Sequence, residues 1–362
     1  MSLSGKTAKN AFLLAAKAGG LFRTSTASNW RSQRLLILCY HGISLADEHL
    51  WNAGLYMDAA SFRSRMQLLR DTKCNILPLD EALARLENGT LPPRSVVLTF
   101  DDGSYDSYLL ACPILREFQF PATVYLTTYY CLNQLPVFDT VCSYLVWKGR
   151  TKTVNLDGIL PEGGQVFLAG DAEWREVSQR IWLHVRETKM SAQAKDALAE
   201  SLAGALGIDY QDLKRRRLLY MMTAAEAAEI SRQGVSLELH THRHITPGNR
   251  DLFEREIREN REHILEISGS VPRHFCYPIG DYLPEFFGWL RECGVRSATT
   301  CDPGLMSRES NPMQIPRLLD TVKITPVEME SWLSGFIPRL RGHLGRSTKV
   351  QNPYTQVDPH CE

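Results

Sequence analysis

Short runs in which nearly every position is apolar alternate along this chain with longer stretches whose apolar residues return every three or four positions. Runs of the first kind read as strands, 95–100 as a buried one, and the second kind as amphipathic helices that cover a sheet. The strand-like runs are 34–43 (RLLILCYHGI), 95–100 (SVVLTF), 122–128 (ATVYLTT), 235–239 (VSLEL), 274–277, 296–299 and 314–319. Helical spacing marks 60–71, where Phe62, Met66 and Leu69 share a face, and 80–88 up to Gly89. It returns over 105–118 with Pro113 near its middle, 223–233 before Gly234, 251–268 before Gly269, 284–293 and 325–334. Glycine just past the last periodic residue is an expected helix stop. About seven strand-then-helix units predict an α/β fold with a parallel sheet, and motifs at the strand ends point to a barrel.

The rhythm breaks between 131 and 220. Gly/Pro-rich turns at 160–164 and a long helical pattern over 174–206 predict a mostly helical insertion that caps the barrel mouth. The expected organisation is a basic segment over 1–34, a barrel over 35–335 containing that insertion, and a basic tail over 336–362.

Composition is that of an ordinary globular chain: 362 residues, 44% hydrophobic and 23% charged, with 41 basic and 41 acidic residues. That balance argues against a nucleic-acid partner, whose binders carry a basic excess. The charge is uneven, however. Residues 1–46 contain no Asp or Glu but hold Lys6, Lys9, Lys17, Arg23, Arg31 and Arg34, and the far end carries Arg339, Arg341, Arg346 and Lys349. Basic ends beside apolar runs can touch an anionic membrane surface, although a partly ordered, solvated end is the plainer expectation. No run reaches the ~20 apolar residues that span a bilayer. The apolar run 11–22 is broken by Lys17 and two glycines and is too weak for a secretory signal. The nine cysteines form no C-x-x-C pair, and Cys39, Cys112 and Cys276 sit in apolar or strand-like surroundings. They read as buried thiols of a reducing compartment rather than as a disulfide or zinc framework.

Three constellations carry chemistry. The first is Thr99-Phe100-Asp101-Asp102-Gly103, an apolar strand running into two adjacent carboxylates. Like charges this close are unfavourable unless a cation takes one of them, leaving the other as a base. The second is His240-Thr241-His242-Arg243-His244, after the run VSLEL, three of the ten histidines within five residues. On an extended strand all three would share a face; if the chain turns after Leu239, His240 and His244 converge. With one carboxylate they make an open two-His, one-Asp metal site, suited to hydrolysis. The third is Phe275-Cys276-Tyr277-Pro278-Ile279-Gly280, a strand ending in a tight loop. Backbone N–H groups of that loop could hold an oxyanion, with Pro278 and Gly280 on the substrate side.

In this order, the three motifs, with Tyr40-His41 in the opening strand, resemble the polysaccharide deacetylase family, also called the NodB-homology or carbohydrate esterase 4 group. The likeness covers about residues 35–335. It implies a distorted (β/α)7 TIM-like barrel and metal-dependent removal of N-acetyl groups from an N-acetylhexosamine polysaccharide or its lipid-linked precursor. It further implies that Asp101 is the general base, that Asp102, His240 and His244 bind one divalent ion, and that Tyr277 gives its backbone N–H to the oxyanion. Zinc is the first expectation for that ion, with cobalt, manganese, nickel or iron as alternatives. His242 falls at a variable position, expected to face substrate or support the ligands. Two departures stand out. The third motif lacks the family's frequent Arg-Pro-Pro form, and no late Leu-x-His supplies a general acid, so His242, His274, His41 or a metal-bound water are the candidates. Arg317, in a late strand, is expected to orient Asp101 or contact substrate. The resemblance favours a cytoplasmic location, at or near the inner membrane face. Two rival readings are a non-catalytic glycan-binding protein on the same barrel and an amidohydrolase of a small acetylated amine.

Overall fold

A strand that is buried at every position needs sheet on both edges and cover on both faces. The run Ser95–Phe100 meets that demand: all six of its residues are buried at the centre of one sheet. In this computed structural model, which describes residues 3–343, the sheet comprises β1 (Leu36–Tyr40), β2 (Asn75–Ile76), β3 (Ser95–Phe100), β4 (Ala122–Leu126), β5 (Val235–Leu239), β6 (His274–Cys276), β7 (Ser297–Thr299) and β8 (Leu318–Leu319). The order is β7-β6-β5-β4-β3-β1-β8, with β2 on the start of β3, and the paired strands all run parallel. Because the strands run the same way, their carboxyl ends form one rim, and the loops that leave it can build a site.

The segment 315–319 touches both edges of this sheet. Ile315 bridges Thr299 beside β7, and β8 pairs with β1 at Leu38 and Cys39. The sequence pattern suggested a continuous strand over 314–319, but only two residues are laddered as one. Pro316 has no N–H to give, and the N–H of Arg317 turns to Asp302 O (3.0 Å).

The covering helices follow the expected spacing, with local chemistry setting their ends. Helix Ala224–Arg232 starts with a reciprocal capping box between Thr223 and Glu226. Helix Arg250–Ser268 starts at Asn249, whose side chain accepts the Leu252 N–H, and stops at left-handed Gly269. The predicted helix over 105–118 is instead a π-helical turn, Ser107–Ala111, followed by α-helix Cys112–Phe118. Pro113 cannot donate into the preceding turn and its ring crowds it, so the backbone widens there.

Residues 138–215 build a second hydrophobic cluster. Helices Phe138–Lys148, Asp171–Thr188, Ala192–Leu206 and Tyr210–Arg215 and a hairpin of Thr153–Asn155 with Gln165–Phe167 bury Leu145, Val154, Leu168, Ile181 and Leu202 together. Bridges Pro136–Tyr220 and Ser104–Met221 fasten this unit beside the Asp101-Asp102-Gly103 turn.

The basic segment at the start is ordered rather than merely solvated. Helices Leu3–Ala18, Leu21–Thr26 and Asn29–Ser32 pack on Pro326–Leu333 and Phe336–His343. Phe22 meets Phe336 (5.3 Å between rings), Lys17 pairs with Glu330 (2.6 Å) and Lys9 with Glu328, and Arg31 Nε donates to Leu333 O (2.8 Å). The predicted basic tail thus begins as helix; its residues 344–362 lie outside the described residues.

Under the rim, Tyr40 packs against Phe62 (5.2 Å) and Phe100 (5.3 Å). Its hydroxyl donates to Asp320 Oδ2 (2.8 Å), which also accepts Arg65 Nε (2.7 Å). This buried trio fastens the end of β8 to β1 and to helix Ala59–Asp71. Breaking a buried ion pair strands a charge, at a cost of about 3–5 kcal/mol. Asp320→Ala is therefore expected to lower unfolding stability by that amount in urea titration; a loss under about 1 kcal/mol would contradict the role assigned to the trio.

Candidate active site

The two carboxylates leave β3 toward different partners because the backbone turns sharply between them. Asp101 is still in register, its N–H donating to Tyr40 O (2.9 Å). Asp102 (φ 70°) and Gly103 (φ 81°) are both left-handed. Asp tolerates that conformation better than most residues, and at Gly103 a Cβ would sit 2.3 Å from Leu126 Cδ1. As a result Asp101 faces Arg317 and Asp102 faces His240 and His244, while both line the cleft.

Asp101 is almost fully buried, and Arg317 meets it with two parallel bonds, Nη1–Oδ1 2.7 Å and Nη2–Oδ2 2.8 Å. Burial alone would raise this carboxyl, but the guanidinium holds it well below the usual range. Arg317 is itself fully buried, bonded through Nε to Thr300 O (3.0 Å), and does not line the cleft. It cannot contact substrate as one expectation held; it orients and charges Asp101 from behind. The thiols of Cys39 (3.5 Å) and Cys276 (3.4 Å) also reach Asp101 Oδ2. Sequence reading gave neither cysteine this place, since a buried thiol in an apolar run carries no further signal.

After β5 the chain does turn. Thr241 and His244 (each φ 61°) are left-handed, and Ile245 N–H closes back on Thr241 Oγ1 (3.1 Å). His240 and His244 thereby converge, each Nε2 3.1 Å from Asp102 Oδ1. Asn260, buried in helix Arg250–Ser268, holds this loop: its side chain accepts the His240 N–H (2.9 Å) and donates to Leu126 O (2.9 Å). One buried Asn on a strongly charged helix had no distinguishing sequence pattern.

Asp102, His240 and His244 fit a metal ion. His240 Nδ1 lies 2.9 Å from Cys276 O, which can only accept, so Nδ1 carries the ring proton. In its neutral form the ring offers a bare Nε2, which faces a carboxylate oxygen shared with a second imidazole. Three donors of electron pairs on one point repel unless a cation lies among them, and two His with one Asp suit zinc and similar divalent ions.

The remaining predicted residues are distributed differently. His242 turns away from the cleft: Nδ1 bonds Thr128 Oγ1 (2.8 Å) and the ring packs on Tyr129 and His263. Burial, with Arg243 beside it, pushes its imidazole down to about 4. His274 is also directed elsewhere, bonded to Ser297 Oγ (2.8 Å) and Asp80 Oδ1 (3.2 Å). His41, the third candidate acid, does line the cleft, with Nε2 3.7 Å from Asp101 Oδ2. Tyr277 is buried; its hydroxyl donates to Met313 O (3.0 Å) and its N–H to Thr299 O (3.2 Å), so that N–H is spent on the sheet. Pro278 is buried and has no N–H, and those of Gly280 and Asp281 close on Tyr277 O (2.9 Å) and Pro278 O (3.1 Å). Ile279 (φ 52°), which lines the cleft with Gly280, is the residue of this turn whose N–H is not spent on a carbonyl.

His41, Asp101, Asp102, His240, His244, Ile279 and Gly280 open into one cleft of about 3670 Å³. One wall of it is a face of helix Asp171–Thr188, with Trp174, Ser178 and Trp182 at helical spacing.

A family model described as polysaccharide deacetylase matches residues 88–145 and 203–298, the two stretches that flank most of the second cluster. Over 67 residues the chain is 37% identical to a poly-β-1,6-N-acetyl-D-glucosamine N-deacetylase of Staphylococcus epidermidis, covering 18% of this chain and 23% of that protein. Over 94 residues it is 32% identical to a putative polysaccharide deacetylase of Bacillus subtilis, covering 26% and 32%. The chain thus spans about a quarter to a third of the length of these relatives. Among solved structures, a Streptococcus pyogenes deacetylase in complex with acetate superposes with TM-score 0.54 at 17% identity, over 82% of this chain and 96% of that one. IcaB from Ammonifex degensii gives TM-score 0.54 at 17% identity, over 83% and 97%. At such identities the likeness is one of fold: an α/β arrangement about a parallel sheet.

The Arg317–Asp101 pair sets a pH dependence. A carboxylate can accept a proton only when ionised, and Arg317 keeps that of Asp101 ionised to low pH, which matters if Asp101 serves as the base. In Arg317→Met the Asp101 pKa rises, and the acidic limb of kcat/KM is expected to move up by about one unit or more, with Arg317→Lys between it and the parent. An unchanged limb in a folded Arg317→Met protein would show that the pair does not tune the base.

Proposed function

This chain belongs to the polysaccharide deacetylase family, and we propose that it removes N-acetyl groups from N-acetylhexosamine residues of a polysaccharide or its lipid-linked precursor, using one bound divalent ion, zinc first. The observation that carries this is the division of labour between adjacent carboxylates: Asp102 sits with two imidazoles while Asp101 is set apart against Arg317. An ion held by Asp102, His240 and His244 would supply Lewis acidity to a water and to the acetyl carbonyl. Asp101 takes a proton from the attacking water. The N–H of Ile279, rather than that of Tyr277, is the backbone donor left for the developing oxyanion. His41 stands beside Asp101 where it can pass that proton to the departing amine, a role for which His242 and His274 are misplaced. We read the parallel sheet, with segment 315–319 touching both edges, as the distorted (β/α)7 barrel, and 131–220 as its insertion.

The size of the cleft favours a polymer over a small acetylated amine. Small-ligand pockets are about 300–1,000 Å³, well below the 3670 Å³ here. Trp174 and Trp182 offer flat apolar surfaces for sugar rings well removed in sequence from the catalytic motifs.

Two measurements test this. Asp101→Asn is expected to cut acetate release from an N-acetylglucosamine oligomer by about 10²- to 10⁴-fold while retaining about one divalent ion per chain by elemental analysis; Asp102→Ala/His240→Ala should lose the ion. Near-normal turnover in Asp101→Asn would remove the base assignment, and metal-free protein with no acetate release would favour the glycan-binding alternative. Separately, Trp182→Ala is expected to raise KM roughly fivefold for long oligomers but not for the shortest cleavable one. Equal effects on both lengths would exclude a remote subsite on that helix.

A further inference from the structure

Helix Leu3–Ala18 is apolar on two faces, but the fold covers one of them. Its inward side buries Leu13 and Ala16. Its lysines at 9 and 17 are held by Glu328 and Glu330 on helix Pro326–Leu333. The outward side carries Ala8, Ala11, Phe12, Leu14, Ala15 and Ala18, which recur at helical spacing and are exposed. Phe12 is 52% and Leu14 55% accessible, and Leu21 (48%) on the next helix and Leu340 (40%) on a neighbouring one add to the surface. Exposed apolar residues grouped on one face of a helix mark an interaction site.

We propose that this face seats the protein on the surface of an anionic lipid bilayer, with helix Leu3–Ala18 lying in the interface. Charge favours that occupant over a second copy of the chain. Residues 1–46 contain no acid, and Lys6 and Arg23 are exposed with no ion pair among the described residues. Two copies meeting through this face would bring like charges together, whereas anionic headgroups would neutralise them. The contact is peripheral, since no described helix is long and apolar enough to cross a membrane. It also has a use. Trp30, Arg34 and Pro338 of the same terminal layer border the catalytic cleft, so a seated protein would present that cleft at the lipid surface. This last point rests on the deacetylase reading; the docking itself does not.

The test is flotation of the full chain with phosphatidylcholine vesicles, with and without phosphatidylglycerol. The protein is expected to float with the anionic vesicles, less with phosphatidylcholine alone, and less at high salt. Phe12→Ser/Leu14→Ser should lower the partition roughly tenfold or more, since each side chain contributes at least about that factor when buried. Lys6→Glu/Arg23→Glu, which alters no packed residue, should abolish the preference for anionic vesicles. Both variants should keep the parent's acetate release from a soluble oligomer, and Lys6→Glu/Arg23→Glu its thermal melt as well; Phe12 also meets Phe336 (6.1 Å between rings), so Phe12→Ser/Leu14→Ser is expected to lower the melt slightly without unfolding the chain. Protein that stays out of the anionic vesicle fraction, or Phe12→Ser/Leu14→Ser protein that floats like the parent, would overturn the proposal. So would a dimer, seen by light scattering, that Phe12→Ser/Leu14→Ser dissolves.

Discussion

The buried ion pair between Asp101 and Arg317 is the constraint on which the rest of the site depends. Its members lie 216 positions apart in sequence, one at the end of β3 and the other in the segment that meets both edges of the sheet. Removing two charges from water is costly, and only two-point geometry with further bonds to Thr99 and Thr300 offsets that cost. The pair therefore forms only when 315–319 is in place. The same event gives Asp101 its lowered pKa and fixed orientation, so the candidate base is completed by segment 315–319 rather than by its own loop.

The metal-ligand side depends on backbone conformation in the same way. Asp102, Gly103, Thr241 and His244 all adopt left-handed φ values, a strain that is costly outside glycine. The surrounding bonds enforce it: Thr127 N–H on Asp102 O, Asn260 on His240 N–H, and Tyr129 N–H on His242 O. The turn that swings His240 and His244 onto Asp102 sends His242 toward Thr128. Convergence of two imidazoles and exclusion of the third are one geometric event.

Two further bodies of structure extend the rim. The second hydrophobic cluster raises a wall of the cleft carrying Trp174 and Trp182, and the terminal helices border the cleft with Trp30 and Arg34. The parallel sheet positions the reacting groups, and these additions decide how large a molecule can reach them.

The sequence by itself determined β3 and β5 to the residue, β3 because burial on both faces leaves a nearly continuous apolar run and β5 because its apolar positions alternate with Ser236 and Glu238. It also placed the Asp pair, the His cluster and the third motif at strand ends, since a motif is local. Tertiary structure decided whatever depends on the partner a group finds. Whether the N–H of Tyr277 or of Ile279 is left over depends on Thr299, 22 residues on; whether Arg317 meets substrate or Asp101 depends on where segment 315–319 lies; His242 is lost to the cleft because of a hydroxyl on another strand's loop. Charge marked residues 1–34 as basic, but only packing showed that Lys9 and Lys17 are spent and that the uncovered face is apolar. A hydrogen bond or an ion pair is a relation between distant positions, and a sequence read one segment at a time records the groups without recording which of them are already satisfied.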